Sequence, residues 1–225
     1  MSSLATFGDI ISEAKERSDR VDSAFITTGE WKAMANASLQ NLYDKILEAF
    51  GSEYYNQVSS PSITTDGTSE AYALPSDFYK LLGVDLQRFP GSAAVNSWVT
   101  IWKYNFAQRN LYSLPGVRST WGSGSMRYRL RGNTIAFQPV PAAGQVLRLW
   151  YAPAFALLSA DSDTFDGVNG WEEWAVNDIA MKALVKDESD LSGVQALQQV
   201  QNDRLQTIID SRDIGAAETM TDVQR

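Results

Sequence analysis

Hydrophobic positions recur three or four residues apart at both ends of the chain and two apart in its middle, and this change of period divides the sequence. Leu4, Phe7, Ile11 and Ala14, with Val21 further on, keep helical spacing. Thr6 with Asp9 reads as a cap, so a short amphipathic helix is expected over residues 7–20. Thr27 with Glu30 makes a second capping box. It opens a stripe of Ala35, Leu39, Leu42, Ile46 and Phe50 that Gly51 ends. From Asn56 to Thr65 Ser, Thr, Pro and Asn accumulate and Asp66-Gly67 marks a turn, which places a domain boundary there. Glu70 to Phe78 then reads as a strand stopped at Pro75 and turned by Ser76 or Asp77, and Tyr79 to Leu86 resumes the extended run. Ser97 to Tyr104 is another expected strand, Phe106 to Tyr112 suits a short helix or an irregular segment, and Ser119 to Ser125 is a Gly- and Ser-rich loop. Arg127 to Tyr151 alternates with a period of two, broken at Gly132-Asn133 and at Pro141-Ala142-Ala143-Gly144, the pattern of a three-stranded antiparallel meander.

Helical spacing returns after an acidic loop. On a helix opening at Trp171, with about 100° per residue, Val176, Ile179, Ala180, Ala183 and Leu184 share one side and Trp171, Trp174, Met181 and Val185 the other. A helix apolar on two faces is sandwiched, and the second face is expected to meet the β layer or a neighbouring subunit. Ser189-Asp190 breaks it. The last helix carries Val194, Leu197, Leu205, Ile208 and Ile209 on one stripe, with Gln198, Gln199, Asp203, Gln206 and Asp210 outside it. The fold class implied is α+β, an α-helical bundle from the N- and C-terminal parts with an inserted antiparallel β-rich domain. The boundaries are 1–56 for the first helices, 57–152 for the insertion, 153–212 for the last helices and 213–225 for an extended tail. In that tail only Ile214, Met220 and Val223 are apolar, too few to anchor it without a partner.

Composition narrows the chemistry. The 225 residues contain neither His nor Cys. The usual general base, Ser-His-Asp and Cys-His arrangements, disulfides and thiolate metal sites are therefore excluded, and neither an enzyme nor a cofactor is expected. No apolar run is long enough for a membrane span or a secretory signal, which fits a protein made in a cytoplasm. Residues 57–152 carry nine basic and four acidic groups against five and fourteen over 153–225, net +5 and −9, so two layers of opposite charge are expected.

Three groups invite a more specific chemistry. Asp161, Asp163, Asp166 and Glu172 have the outer spacing of a calcium loop, but Phe165 stands at the fifth position and Asp166 where Gly is required, so a loop capping the next helix is the better reading. Arg127, Arg129 and Arg131 alternate with Met126, Tyr128 and Leu130 and so share one strand face. That face suits acidic groups of another subunit or, less well in a chain of net charge −8, nucleic acid. Trp98, Trp102, Tyr104, Tyr112, Trp121, Tyr128, Trp150 and Tyr151 are numerous enough to raise a carbohydrate platform, though aromatics at alternate strand positions more often form core.

Trp150-Tyr151, Pro153, Leu157-Leu158, Asp161-Ser162-Asp163 and then Trp171-Glu172 at a helix start resemble the head-to-tail connector (adaptor) proteins of tailed bacteriophages. Leu74-Pro75-Ser76-Asp77-Phe78, followed by an apolar strand, is similar to a second stretch of that family in the same order. The resemblance implies a structural virion protein that assembles as a ring, usually of twelve subunits, in the neck between capsid and tail. It would be assembled in the host cytoplasm, with the portal protein on one side, tail or nozzle proteins on the other, and DNA passing without sequence-specific binding. In such a ring the second apolar face of the Trp171 helix, with Trp171, Trp174, Met181 and Val185, is expected to pack between subunits, and the resemblance implies that the tail lies against the portal through Ile214, Met220 and Val223. Another neck or tail-completion protein and a carbohydrate-binding tail component are the alternatives.

Overall fold

Both capping boxes form in the computed structural model, which describes residues 5–22, 24–87, 98–110, 126–165 and 171–211. Thr6 Oγ1 accepts the Asp9 amide at 3.1 Å while the Asp9 carboxylate receives the Thr6 amide and hydroxyl, and α1 runs Phe7–Arg17. It stops short of residue 20 because Asp19 takes a positive φ of 53° and the Arg20 amide turns back to the Lys15 carbonyl at 2.8 Å. Thr27 and Glu30 repeat the box at the start of α2, Thr28–Phe50, and Gly51 ends that helix at a positive φ of 93°.

α3, Glu172–Lys186, and α4, Ser192–Ser211, join α1 and α2 in one unit built from Met1–Gly51 and Phe155–Arg225. α3 packs against all three other helices, which is why its sequence is apolar on two faces. Trp31 and Trp171 are each almost wholly buried there, and burial of one such ring contributes roughly 4–6 kcal/mol as an upper bound. Arg17 bonds Glu173 and Asn177, Arg20 pairs with Asp187, and Lys186 reaches Glu30, so charged contacts tie α3 to α1 and to the start of α2.

The second unit is Ser52–Ala154. One of its sheets has the order β1-β9-β4-β5, with β2 also on β9; the other has the order β3-β8-β7-β6. The strands are β1 Gln57–Val58, β2 Ile63–Thr64, β3 Ala71–Ala73, β4 Phe78–Gln87, β5 Trp98–Thr100, β6 Trp102–Lys103, β7 Arg127–Arg131, β8 Thr134–Gln138 and β9 Val146–Pro153. Val84, Leu86, Leu147, Leu149 and Tyr151 of the first sheet form one buried cluster with Ile135 and Phe137 of the second. All pairings among these strands are antiparallel except β6 with β7. Helices from both ends around a β-rich insertion make this an α+β fold.

The three-stranded meander does not form. β7 and β8 pair as a hairpin, but β9 crosses into the other sheet, where β4 lines one edge and β1 and β2 the other, leaving no edge for β8. Pro139 and Pro141 in the connection lack the N–H groups a continued ladder would need. The run from Trp98 to Lys103 likewise serves two sheets: β5 belongs to the first and β6 to the second, and Ile101 between them is buried with its amide on the Val84 carbonyl at 2.9 Å. The segment after Asn105 opens as one turn of 3-10 helix, Phe106–Gln108.

Candidate functional site

The arginine strand keeps its alternation. Met126, Ile135 and Phe137 lie in the buried core with Tyr128 packed against them, so Arg127, Arg129 and Arg131 project from the opposite face of the sheet. They stand across from Gln138, Ala136 and Thr134 in turn. Because Ala136 is small, the sheet is hollow beside Arg129, and a recess of about 460 Å³ opens there, lined among others by Glu70, Tyr104, Phe106, Arg109, Arg129 and Arg131. Arg131 pairs with Glu70, whose other oxygen accepts from Gln138 Nε2 at 3.4 Å. Asn105 caps the 3-10 turn that presents Phe106, a ring 54 % exposed, with the Arg109 guanidinium 4.5 Å and the Arg129 guanidinium 5.1 Å from its centroid. The alternating arginines were legible in sequence; Phe106 and Arg109 were not, because the turn that brings them to the strand has no periodicity.

The outer face of the first sheet carries a second charged cluster, which the sequence did not single out. Asp85 is only 8 % exposed. Its Oδ2 receives Trp150 Nε1 at 2.7 Å and Arg148 Nε at 3.0 Å, and its Oδ1 receives the Thr100 hydroxyl at 2.9 Å. Burial alone raises this carboxyl, but the Trp150, Thr100 and Arg148 hydrogen bonds outweigh it and hold Asp85 below its ordinary value. The Arg148 guanidinium lies 4.1 Å from the Trp98 ring centroid and 5.0 Å from that of Trp150. These two rings therefore serve a cation, and Tyr104 and Tyr151 are buried, which takes them out of a sugar platform; Trp102 alone of the described tryptophans is strongly exposed. Tyr112 and Trp121 lie outside the described residues.

The residues expected between subunits separate into two kinds. Trp171 and Trp174 are 2 % and 4 % exposed within the helical unit itself, so neither is available to a neighbouring copy. α4 covers them: Trp174 Nε1 donates to Asn202 Oδ1 at 2.9 Å, and the Arg204 guanidinium lies 4.5 Å from the Trp171 ring centroid. Met181 is half-buried against Ala180, Leu184 and Val194, while Val185 is exposed. The inward stripe of α4 also differs from the expected one. Val194, Gln198 and Leu205 face inward and Leu197 and Val200 face out, because the Gln198 amide lies against Trp174, within 3.0 Å of its indole nitrogen.

The acidic loop caps a different helix from the one expected. The carbonyls of Asp163 and Asp161 accept the Phe7 and Gly8 amides at 2.8 and 2.9 Å, satisfying the free N–H groups of α1, whereas Trp171 at the start of α3 makes no side-chain cap. Asp161 pairs with Lys32, and the Ser159 and Ala160 amides on Asp163 hold its carboxyl below the ordinary value. Asp166 and the tail residues Ile214, Met220 and Val223 lie outside the described residues. Among the described residues, no three His, Cys, Asp or Glu side chains gather as a metal site, and no helix is long and apolar enough to cross a membrane.

The two stretches that carried the family resemblance meet in space. Asp77 Oδ1 accepts the Tyr151 hydroxyl, Asp77 Oδ2 accepts Gln57 Nε2 at 2.6 Å, and Phe78 stacks on Tyr151 with ring centroids 5.8 Å apart. In comparisons with known proteins, the family described as SU10 adaptor protein matches residues 5–225. No curated protein matches.

Proposed function

The chain belongs to the SU10 adaptor protein family, which makes it a structural adaptor of a bacteriophage particle, and from that premise we propose that it forms a ring joining the portal to the tail. The match across 5–225 carries this reading, since it takes in both units of the chain. The ring is dodecameric, sits in the neck of the virion and lets DNA through during ejection.

Charge supports lateral association of copies. The β unit, 52–154, holds nine basic and five acidic residues, and the helical unit ten and twenty-two, net +4 and −12. Unlike charge on two parts of one chain favours contacts between the β unit of one copy and the helical unit of the next. The acidic helical unit also suits a channel wall, because duplex DNA slides where phosphates find no cations to hold them. Val185 supplies an outward apolar contact, and the tail meets the portal through Ile214, Met220 and Val223.

Electron microscopy of the full chain mixed with purified portal tests this. A ring of copies seated on the portal is expected; absence of any complex overturns the reading. A variant lacking residues 213–225 is expected to melt as the full chain does while losing attachment, and full attachment of that variant removes the tail from the account.

A further inference from the structure

The recess beside Arg129 has the chemistry of a receptor for an anion. It offers three guanidinium groups and one carboxylate, Glu70, which is already matched by Arg131 and Gln138. That pair shows what this lining does with an anion: it takes a carboxylate. Arg129, one step along the same strand face, is half-buried and has no hydrogen-bond acceptor among the described residues, its only partner being the Phe106 ring. A guanidinium held over a ring keeps its N–H edge free for a planar anion, and Arg109 over the same ring brings a second cation to the place.

We propose that this recess binds an acidic peptide segment of a partner protein, with one Asp or Glu carboxylate on Arg129, beside the positive charge of Arg109. A peptide fits better than single-stranded nucleic acid. The Phe106 ring already carries two guanidinium groups, and Glu70 stands at the rim where a phosphate backbone would run. The inference rests on the geometry of the β unit and is independent of the ring.

The test is fluorescence anisotropy of the full chain with a labelled peptide of alternating Glu and Leu, and separately with labelled oligothymidylate. Arg129→Glu is compared with Lys80→Glu, which makes the same change of charge at an exposed position of β4. Salt-sensitive peptide binding that Arg129→Glu weakens by about tenfold or more and Lys80→Glu leaves nearly unchanged is expected. Arg129→Gln, which keeps the size and removes the charge, is expected to melt with the parent chain and still lose the peptide. Equal loss in both Glu variants reduces the effect to general charge and overturns the site. No peptide binding, or oligothymidylate held more tightly than the peptide with the same dependence on Arg129, overturns the choice of ligand.

Discussion

The Tyr151 hydroxyl donates a 2.9 Å hydrogen bond to Asp77 Oδ1, joining the turn after β3 to the end of β9. Gln57 Nε2 donates both to Asp77 and, at 2.8 Å, to the Tyr151 oxygen, so two strands, β1 and β9, and one turn share a polar knot above a buried ring. Burial, chiefly, with the Asp77 carboxylate beside it, raises the Tyr151 hydroxyl above its ordinary value, and the group stays a donor throughout neutral pH. Tyr151→Phe keeps the stacking on Phe78 and removes the hydroxyl. It is expected to cost about 1–2 kcal/mol in chemical denaturation.

Asp85 makes the β unit sensitive to acid in a defined window. Its carboxyl lies below the ordinary 3.8 in the folded chain, so the stability it contributes is complete above that value and is lost as pH falls through the lower folded one. The indole N–H resonance of Trp150 is expected to follow the titration of this carboxyl, with its midpoint below pH 3.8. Asp85→Ala strands Arg148 between two indoles without its carboxylate and is expected to cost about 3 kcal/mol in denaturant melts of the full chain.

Two glycines of the N-terminal helices are expected to respond oppositely to the same substitution. A Cβ on Gly29 meets nothing within 4 Å, so Gly29→Ala is expected to stabilise by about 0.5–1 kcal/mol, as a helical Gly→Ala change does. A Cβ on Gly8 lies 3.1 Å from both the Cβ and the carbonyl oxygen of Asp161, and that oxygen also receives the Gly8 amide. The loop cannot retreat without losing the cap of α1, so Gly8→Ala lowers the melting temperature.

Val185 and Trp174 separate assembly from folding. Val185 is 60 % exposed, so Val185→Glu is expected to change monomer stability by no more than about 0.5 kcal/mol and to reduce occupancy on the portal. Trp174→Glu places a charge at a site where an indole is buried against α4, and circular dichroism is expected to show the helical unit unfolded before assembly is tested.

Signals that span a few residues were legible. The Thr6-Asp9 and Thr27-Glu30 boxes are local chemistry, three residues wide, and both stand where the sequence places them. The alternation of Arg127, Arg129 and Arg131 is equally local. Choices of partner were not legible, because distant residues decide them. β9 leaves β8 for β4, some sixty residues away in sequence, and an indole on α3 draws Gln198 inward and leaves Leu197 outside. The two apolar faces of α3 were read correctly as a sandwich and assigned to the wrong neighbour, since α4 of the same chain covers Trp171 and Trp174.

The helical unit is assembled from the two ends of the chain, and this sets an order of events during synthesis. α1 and α2 leave the ribosome first, with Phe7, Ile10, Trp31 and Leu39 committed to a core whose central helix has not been made. The β unit, contiguous from 52 to 154, comes next and has all its own strands to hand. Only after α3 and α4 emerge can the first two helices cover their apolar sides. The nascent chain therefore carries sticky helices α1 and α2 while the β unit is being made, and a chaperone that holds amphipathic helices would act on it then, with release timed by the emergence of α3 and α4.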